Sequence, residues 1–513
     1  MVPSNLSAAA GRRRRLGWPA GVLLLVLLGP LGRCAADPPR RITISFEPIP
    51  DATEPPQSSA VPPPVAEFPI DLETALGLAG VDNPTIALAR EAVRASRAEQ
   101  LQARALLLPT LHAGANIDVH RGTLQSAQGV IEDVNRQALY VGAGASAVGA
   151  GTVAVPGVSL NAQLAEAVFE PAAARQRLAA AGFDALAVRN GVLLDVTTRY
   201  FALVGAEAQV EALRQSEADL GEIVRLTVNF ARVGQGRESD AERARSEALL
   251  LHAREQAAEG EAAAAAADLA RLLNTDPGVR LRPRDRLIPL VSLVDANVSL
   301  EALVRIALAN RPEMAARAAT VAATETRLRE EQVRPFVPRL FVGYSAGEFG
   351  GGSNQADTRF GHFDGRADFD VLAVWSLDGF GLGNLAEQRR RRAEVGEAEA
   401  GRVRAIDRIR REVAEAQALA AGRLREMEIA RRRLETAQEA YRLDLTRIRN
   451  LVGTPQLKIL AHPIEVLDSA NLLTAARLDL VRATIGYDQA EFQLFVALGR
   501  PPTLALPGHT PCP

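Results

Sequence analysis

The sequence is short of the residues that build bulky cores and disulfide frameworks. Aromatic side chains make up 4% of the 513 residues, and there are 2 cysteines. A core with so little aromatic volume suits closely packed helices with small side chains, and two cysteines exclude a disulfide scaffold. The formal net charge is −2 at pH 7. The chain therefore lacks the basic character expected of a nucleic-acid-binding protein, and we predict no nucleic-acid partner.

The chain also lacks the residue patterns of common catalytic and metal sites. No Ser/His/Asp or Cys/His set occurs in a recognisable motif, so we predict neither an enzymatic activity nor a cofactor. The glycines at Gly350–Gly352 precede no helix with a Lys-Ser/Thr ending, which argues against a phosphate-binding loop. His112 and His120 have no partner cysteine in a ligand spacing, and we predict no metal site. Arg389–Arg392 is interpreted as a solvated helix face.

Proline is absent between Pro338 and Pro455, and the second half of this interval is rich in alanine and charge. Val403, Ile409 and Val413 belong to an apolar series with steps of three and four, which is typical of an amphipathic helix. The sequence predicts one helix from about Leu385 to Leu451. At about 1.5 Å per residue it would be a rod of roughly 100 Å, far longer than globular domains need.

The first 36 residues are typical of an export signal. Arg12–Arg15 supply positive charge, Gly21–Leu28 is apolar, and Cys34-Ala35-Ala36 offers small residues for cleavage. The apolar run is too short to span a bilayer as a helix. Acylation of Cys34 is the alternative, although Arg33 does not match the small residue expected before a lipidated cysteine.

The rest of the chain is predicted to contain an internal duplication. Leu72-Glu73 and Asn83-Pro84 have counterparts at Leu300-Glu301 and Arg311-Pro312, both displaced by 228 positions. So long a period indicates a duplicated unit rather than a solenoid repeat. The predicted segments are a signal peptide (1–36), a Pro-rich linker (37–68), a first repeat (69–290), a second repeat (291–505) and a tail (506–513).

Each repeat contains two stretches that alternate like β-strands. From Leu111 to Val119, apolar residues occupy one face, while the other bears polar residues such as Asn116 and Asp118. Loops rich in glycine are predicted between the strands of each pair. The predicted strands are Leu111–Val119, a stretch around Val158–Phe169, Leu340–Ala346 and Ala367–Leu377.

Four strands of membrane-spanning length are too few to close a barrel, and lipid does not tolerate unpaired strand edges. Three copies would supply twelve strands. The predicted fold class is mainly α with a small β part. Each chain would contribute four transmembrane β-strands to a twelve-stranded barrel in the trimer, together with a long antiparallel α-helical coiled-coil barrel.

With these features the sequence resembles the TolC-like outer-membrane efflux family, from about Pro69 to Leu498. The likeness depends on the order and duplication of several short motifs. They are the paired openings above, the Pro-x-Leu strand starts at Pro109 and Pro338, the tips Val233-Gly234 and Val452-Gly453-Thr454, and the runs Ile464–Asp468 and Ala497–Gly499. One departure is the turn from Pro455 to Pro463, which is longer than the family's usual turn.

The resemblance implies a passive homotrimeric conduit in the cell outer membrane, in contact with its lipid and with a long periplasmic part. A periplasmic adaptor protein and an inner-membrane pump would be its partners in a tripartite efflux or type I secretion system. The adaptor would dock on the tips at Val233, Gly234, Val452, Gly453 and Thr454. Acidic rings at the periplasmic gate are implied for Glu465 and Asp468, and Asp240, which follows the first tip, joins them in the predicted gate.

Alternatives remain at this stage. The three acids could simply be favourable in first helical turns through the helix dipole. A secreted or periplasmic coiled-coil tether would explain the long helices but would leave the strand pairs without a use. A cell-surface enzyme would need catalytic residues that the sequence does not show. The transported substrate is not specified by the sequence.

Overall fold

The computed structural model describes residues 67–145, 155–234, 236–276, 278–284, 291–355, 358–451 and 463–505. The predictions for the signal peptide, Cys34, most of the linker, the second tip at 452–454, most of the long turn and the C-terminal tail lie outside these residues. All the described residues belong to one unit, Pro63–Pro513.

The described residues form eight α-helices, and their order and lengths repeat. Helices of 11, 21, 69 and 36 residues are followed by helices of 11, 22, 70 and 35 residues. This agrees with the predicted duplication, while the repeat boundaries stay a prediction. The helices are α1 (Leu72–Asp82), α2 (Pro84–Arg104), α3 (Leu164–Arg232), α4 (Glu238–Leu273), α5 (Leu300–Asn310), α6 (Pro312–Val333), α7 (Leu382–Leu451) and α8 (Pro463–Ala497).

The short helix pairs begin at side chains that cap them. Thr74 donates its backbone N–H to Asp71 Oδ1 at 2.8 Å, which satisfies a free amide at the start of α1. Asn83 caps α2 by accepting from Thr85 N at 2.9 Å. Its own Nδ2 donates to the carbonyl of Leu272 at 2.8 Å, which ties this helix junction to the end of α4. Pro84 and Pro312 stand at first helical positions, where proline has no amide to lose.

The prediction of a long helix ending at Leu451 is confirmed by α7. Ile409 and Val413 are fully buried, whereas Val403 is exposed. No described helix offers the long, weakly charged apolar stretch that crossing a bilayer demands.

The strands contain fewer residues than the helices, and three of the four predicted strands are longer than predicted. They are β1 (Glu67–Ile70), β2 (Thr110–Leu111), β3 (Ala113–Gln125), β4 (Ile131–Ala145), β5 (Val155–Pro156), β6 (Val158–Gln163), β7 (Arg280–Pro283), β8 (Arg339–Ser353) and β9 (Thr358–Val374). Three further segments form 3₁₀ turns: Ala105–Leu107, Arg334–Phe336 and Pro502–Ala505.

Two strand predictions in the first half are wrong. The stretch Val158–Phe169 is a strand only as far as Gln163, and α3 begins at Leu164, with Pro171 inside the helix. An interior proline costs about 3 kcal/mol, and burial of Ala173 and Ala174 just after it offsets part of that cost. The loop predicted after the strand Leu111–Val119 contains β4. The second half of β4 is rich in alanine and glycine and lacks a strand pattern, so its strand conformation depends on pairing with β3 and β8.

The glycine-rich loop predicted in the second half is also wrong, because Gly347–Gly352 belongs to β8. The first part of β8, up to Tyr344, pairs with β6. The part that follows pairs with β4, from Ala346 opposite Ala143 to Ser353 opposite Arg136. A Cβ on Gly347 would lie 2.5 Å from the carbonyl oxygen of Val141. Glycine is required here because the strand backbones approach each other closely, and not because the chain turns.

Small side chains fill the interior between the long helices, as the scarcity of aromatics predicted. In α4, alanines at steps of four are buried against the neighbouring helices: Ala258, Ala262, Ala266 and Ala270. Leu193, Val196, Tyr200 and Leu203 of α3, which recur at steps of three and four, are likewise buried. Near α1 and the end of α4, β1 pairs in parallel with β7, which joins Glu67–Ile70 to Arg280–Pro283.

Candidate channel sheet and helical tips

Four long antiparallel strands form the main sheet, in the order β3–β4–β8–β9. In the middle of the first ladder Ile117 lies opposite Leu139, and in the last ladder Tyr344 lies opposite Phe369. Among the described residues, β3 pairs along its length with β4 only, and β9 pairs with β8 only. The sheet therefore ends in two open edges, 13 and 17 residues long.

The exposed face of β3 is the apolar one. Ile117 and Val119 are 68% and 52% exposed, whereas the alternate residues Asn116, Asp118 and His120 are partly buried. A water-soluble sheet shows the opposite arrangement. Apolar residues outside and polar residues inside are the pattern of a transmembrane strand. The face assignment predicted for Leu111–Val119 is confirmed.

Charged groups on the sheet find partners close by. Arg136 Nε lies 3.8 Å from Asp118 Oδ1 across the β3–β4 ladder. Arg366 of β9 contacts Asp368 at 2.8 Å and lies over the ring of Phe349, 5.8 Å from its centre. Pairing lowers the cost of placing these four charges on the sheltered face of the sheet.

Large apolar side chains are concentrated on β9 at the open edge. Phe360 and Phe363 meet edge to face with ring centres 5.9 Å apart. Phe369 and Val371 of β9, and Trp375 just after its end, are all more than half exposed. A cluster of this size on one edge strand marks a surface that is covered by lipid or protein.

The first predicted tip, Val233-Gly234, is the reversal between α3 and α4. Gly234 has φ +70° and donates its N–H to the Ala231 carbonyl at 3.0 Å. Gly236 donates to the Phe230 carbonyl at 3.0 Å, so the last turn of α3 closes on the loop. Val233 is 62% exposed and has no core role. The second tip at Val452, Gly453 and Thr454 lies outside the described residues.

The three predicted gate acids stand near the starts of two long helices. Asp240 is in the first turn of α4, where it is partly exposed. Glu465 and Asp468 lie at the start of α8 and are exposed. Glu465 is not a free carboxylate, because its Oε2 lies 3.5 Å from Arg447 Nη1 of α7. The structure thus brings Glu465 and Asp468 onto one helix, and it pairs the first of them with an arginine.

A set of contacts that the sequence did not predict fastens α3 to α7 and α8 near these helix ends. Arg449 of α7 contacts Glu222 of α3 at 2.5 Å, and Arg477 of α8 contacts Asp219 at 2.7 Å. The hydroxyl of Tyr441 donates to the Asp219 carbonyl at 3.5 Å. Burial, reinforced by Asp219 and Glu222, raises the pKa of Tyr441 to about 12. The partners are over 200 positions apart, so no local pattern could have revealed them.

Comparison with known families supports the resemblance found in the sequence. Residues 303–500 match the family model described as outer membrane efflux protein. A comparison with curated proteins yields no match. The matched residues contain α6 to α8 with β8 and β9, most of the second half of the duplication.

Solved channel structures share the fold. The outer-membrane channel OprN matches at 18% identity with TM-score 0.63, covering 83% of this chain and 89% of OprN. The CmeC outer membrane channel of Campylobacter jejuni matches at 14% identity with TM-score 0.63, covering 83% and 85%. The outer membrane protein VceC of Vibrio cholerae matches at 17% identity with TM-score 0.60, covering 84% and 96%. The predicted mainly α fold with a small β part and the resemblance to TolC-like efflux channels are confirmed, while the barrel of the trimer stays a prediction; OprN and CmeC are described as channels rather than enzymes.

Proposed function

We propose that the chain is one protomer of a homotrimeric outer-membrane efflux channel, a passive conduit from the periplasm to the exterior. The observation that carries the proposal is the pair of open edges on β3 and β9, next to an outward-facing apolar surface. A protein with both edges unpaired could not reside in lipid as a monomer, since each bare amide and carbonyl there costs several kcal/mol.

The strand directions suit closure by further copies. Since the order β3–β4–β8–β9 is antiparallel throughout, β3 and β9 run in opposite directions. The β9 edge of one copy can therefore pair antiparallel with the β3 edge of the next. Three copies close the sheet with twelve strands, an even number as in single-chain bacterial barrels. Head-to-tail contacts of this kind form a closed ring when the rotation is one third of a turn.

The long helices would continue the barrel as a tunnel on the periplasmic side. Their tips, at Val233-Gly234 and Val452-Gly453-Thr454, would meet a periplasmic adaptor that links the channel to an inner-membrane pump. Asp240, Glu465 and Asp468 would surround the entrance. Threefold symmetry would turn each acid that faces the lumen into a ring of three, which attracts cations and repels anions. The cargo would be chosen by the pump.

The mass of the detergent-solubilised protein tests the assembly. We expect a complex of three chains that survives mild detergent, with a predominantly helical circular dichroism spectrum and electron micrographs of a ring-shaped particle. A stable monomer in mild detergent would contradict the proposal. Extraction of the protein from membranes by salt alone, as a dimer, would instead favour the coiled-coil tether.

A further inference from the structure

A histidine and two glutamates meet between the first two long helices, α3 and α4. His252 and Glu255 lie one turn apart on α4, and Glu217 faces them from α3. The Nδ1 atom of His252 is 3.2 Å from Glu217 Oε1 and 3.6 Å from Glu255 Oε2. One possible ligand atom from each residue lies within 4.8 Å of the other two.

The two carboxylates differ in how firmly they are held. The Glu255 side chain is about nine-tenths buried, with 9% exposed. Arg214 of α3 donates from Nε to Glu255 Oε1 at 2.9 Å and contacts Glu259 at 2.5 Å. This hydrogen bond from Arg214 lowers the pKa of Glu255, which keeps the carboxyl ionised. With Oε1 occupied by Arg214, Oε2 is the oxygen directed to His252.

The distances in the cluster fit a small cation. With metal–ligand distances of about 2.1 Å, two ligands at a tetrahedral angle lie about 3.4 Å apart. The observed separations of 3.2 and 3.6 Å bracket that value. We propose that Glu217, His252 and Glu255 form a binding site for a divalent transition cation of the Zn²⁺ type, which joins α3 to α4.

The donor set explains the choice of cation. Histidine nitrogen and glutamate oxygen are both ligands of zinc, which in open sites takes three protein ligands and a water molecule, whereas Ca²⁺ and Mg²⁺ prefer oxygen ligands alone. His252 is 55% exposed and Glu217 is 40% exposed, so a water molecule can complete the coordination. Arg214 acts on the far oxygen of Glu255 and orients that ligand, as partners of metal-bound carboxylates do. This inference revises the expectation of no metal site, which considered His112 and His120 and overlooked the spacing His252-x-x-Glu255.

The test uses the full chain in detergent, purified without a histidine tag and stripped with a chelator. Titration with Zn²⁺ by calorimetry, and with Co²⁺ by visible absorption, measures affinity and coordination. We expect one saturable site per chain and Co²⁺ bands of a tetrahedral complex. His252→Ala and Glu217→Gln should each weaken Zn²⁺ binding by at least about 10-fold to 100-fold, as loss of a ligand costs no less than loss of a ligand's partner.

Matched controls separate this site from general metal binding. Glu261→Gln removes an exposed carboxylate from the same helix, and His362→Ala removes an exposed histidine elsewhere; both should bind Zn²⁺ like the wild type. Since His252 is mostly exposed, its replacement should not impair folding, which circular dichroism checks. Equal affinity in the wild type and His252→Ala, or no saturable binding in either, overturns the proposal and leaves the cluster as an ion pair.

Discussion

Arg449, near the end of α7, contacts Glu222, which lies in the C-terminal part of α3. The distance from Arg449 Nη2 to Glu222 Oε1 is 2.5 Å. The two residues belong to different helical hairpins, one from each half of the duplication. The pair therefore holds the end of the second hairpin against the first, just before the second tip. If the tips form the entrance of a channel, this ion pair opposes their separation.

We predict that Glu222→Gln loosens the entrance. An exposed ion pair is weak, so the open probability in planar bilayers should rise by about two- to five-fold, and high salt should reduce the difference. Glu242→Gln is the control, because Glu242 pairs with Arg245 in its own helix. Identical single-channel records for Glu222→Gln and the control would show that the pair has no part in gating.

The acids at the start of α8 should set ion preference. Replacing Glu465 and Asp468 by alanine is expected to weaken cation selectivity and block by multivalent cations, because the carboxylate rings would be lost. Reversal potentials under a salt gradient measure the first effect. Arg447→Ala should act in the opposite direction, since it removes the arginine that pairs with Glu465. Wild-type selectivity and wild-type block by multivalent cations in the double mutant would show that both acids only stabilise the start of α8.

The tips should matter for export and not for assembly. Gly234 has a positive φ, so a bulky residue there strains the reversal as well as blocking its surface. Replacing Gly234 and Gly453 by tryptophan should abolish export in cells while trimers remain in the membrane. Val233→Ser keeps the backbone and alters only an exposed side chain of the same tip, so it should reduce export less than the glycine replacements. Full export with both glycines replaced would exclude docking at these tips.

Asp488 should make stability depend on pH. It is fully buried, its Oδ1 accepts from Val291 N at 3.3 Å, and its Oδ2 has no hydrogen-bond partner among the described residues. Burial, reinforced by the nearby Glu491, raises the pKa of Asp488 to about 7. Because the folded protein binds this proton more tightly than the unfolded chain, stability is lost as pH rises from about 4 to about 7.

We therefore predict that Asp488→Asn is more stable than the wild type at pH 8 and equal to it near pH 4. The gain is on the order of a few kcal/mol, at about 1.4 kcal/mol per pKa unit, and asparagine keeps an oxygen for Val291. Thermal unfolding of the trimer in detergent at several pH values measures it. Asp468→Asn, on the exposed part of the same helix, should show no such gain. Parallel melting curves for wild type and Asp488→Asn at every pH would contradict the prediction.

The sequence by itself determined the helices, their duplication and the inverted faces of β3. Local rules suffice there: Asp71 and Asn83 cap helices through atoms two or three residues away, and the side chains of Ile117 and Val119 alternate with polar ones by strand geometry alone. The long α7 was predictable because no proline interrupts its regular apolar spacing. The resemblance from about Pro69 to Leu498 depends on the order of such local signals.

Only the tertiary structure decided where strands continue and which charges meet. The local sequence around Gly347 predicts a loop, yet this residue lies in β8. It is glycine because the backbone of Val141 comes too close for any Cβ. Glu222 and Glu217 contact residues of other helices, and Asp488 binds Val291 from the segment before α5. These partners are distant in sequence, so no local spacing predicts them. Long-range contacts depend on which faces the folded helices turn towards each other, and that is decided by packing over the whole chain rather than by neighbours in sequence.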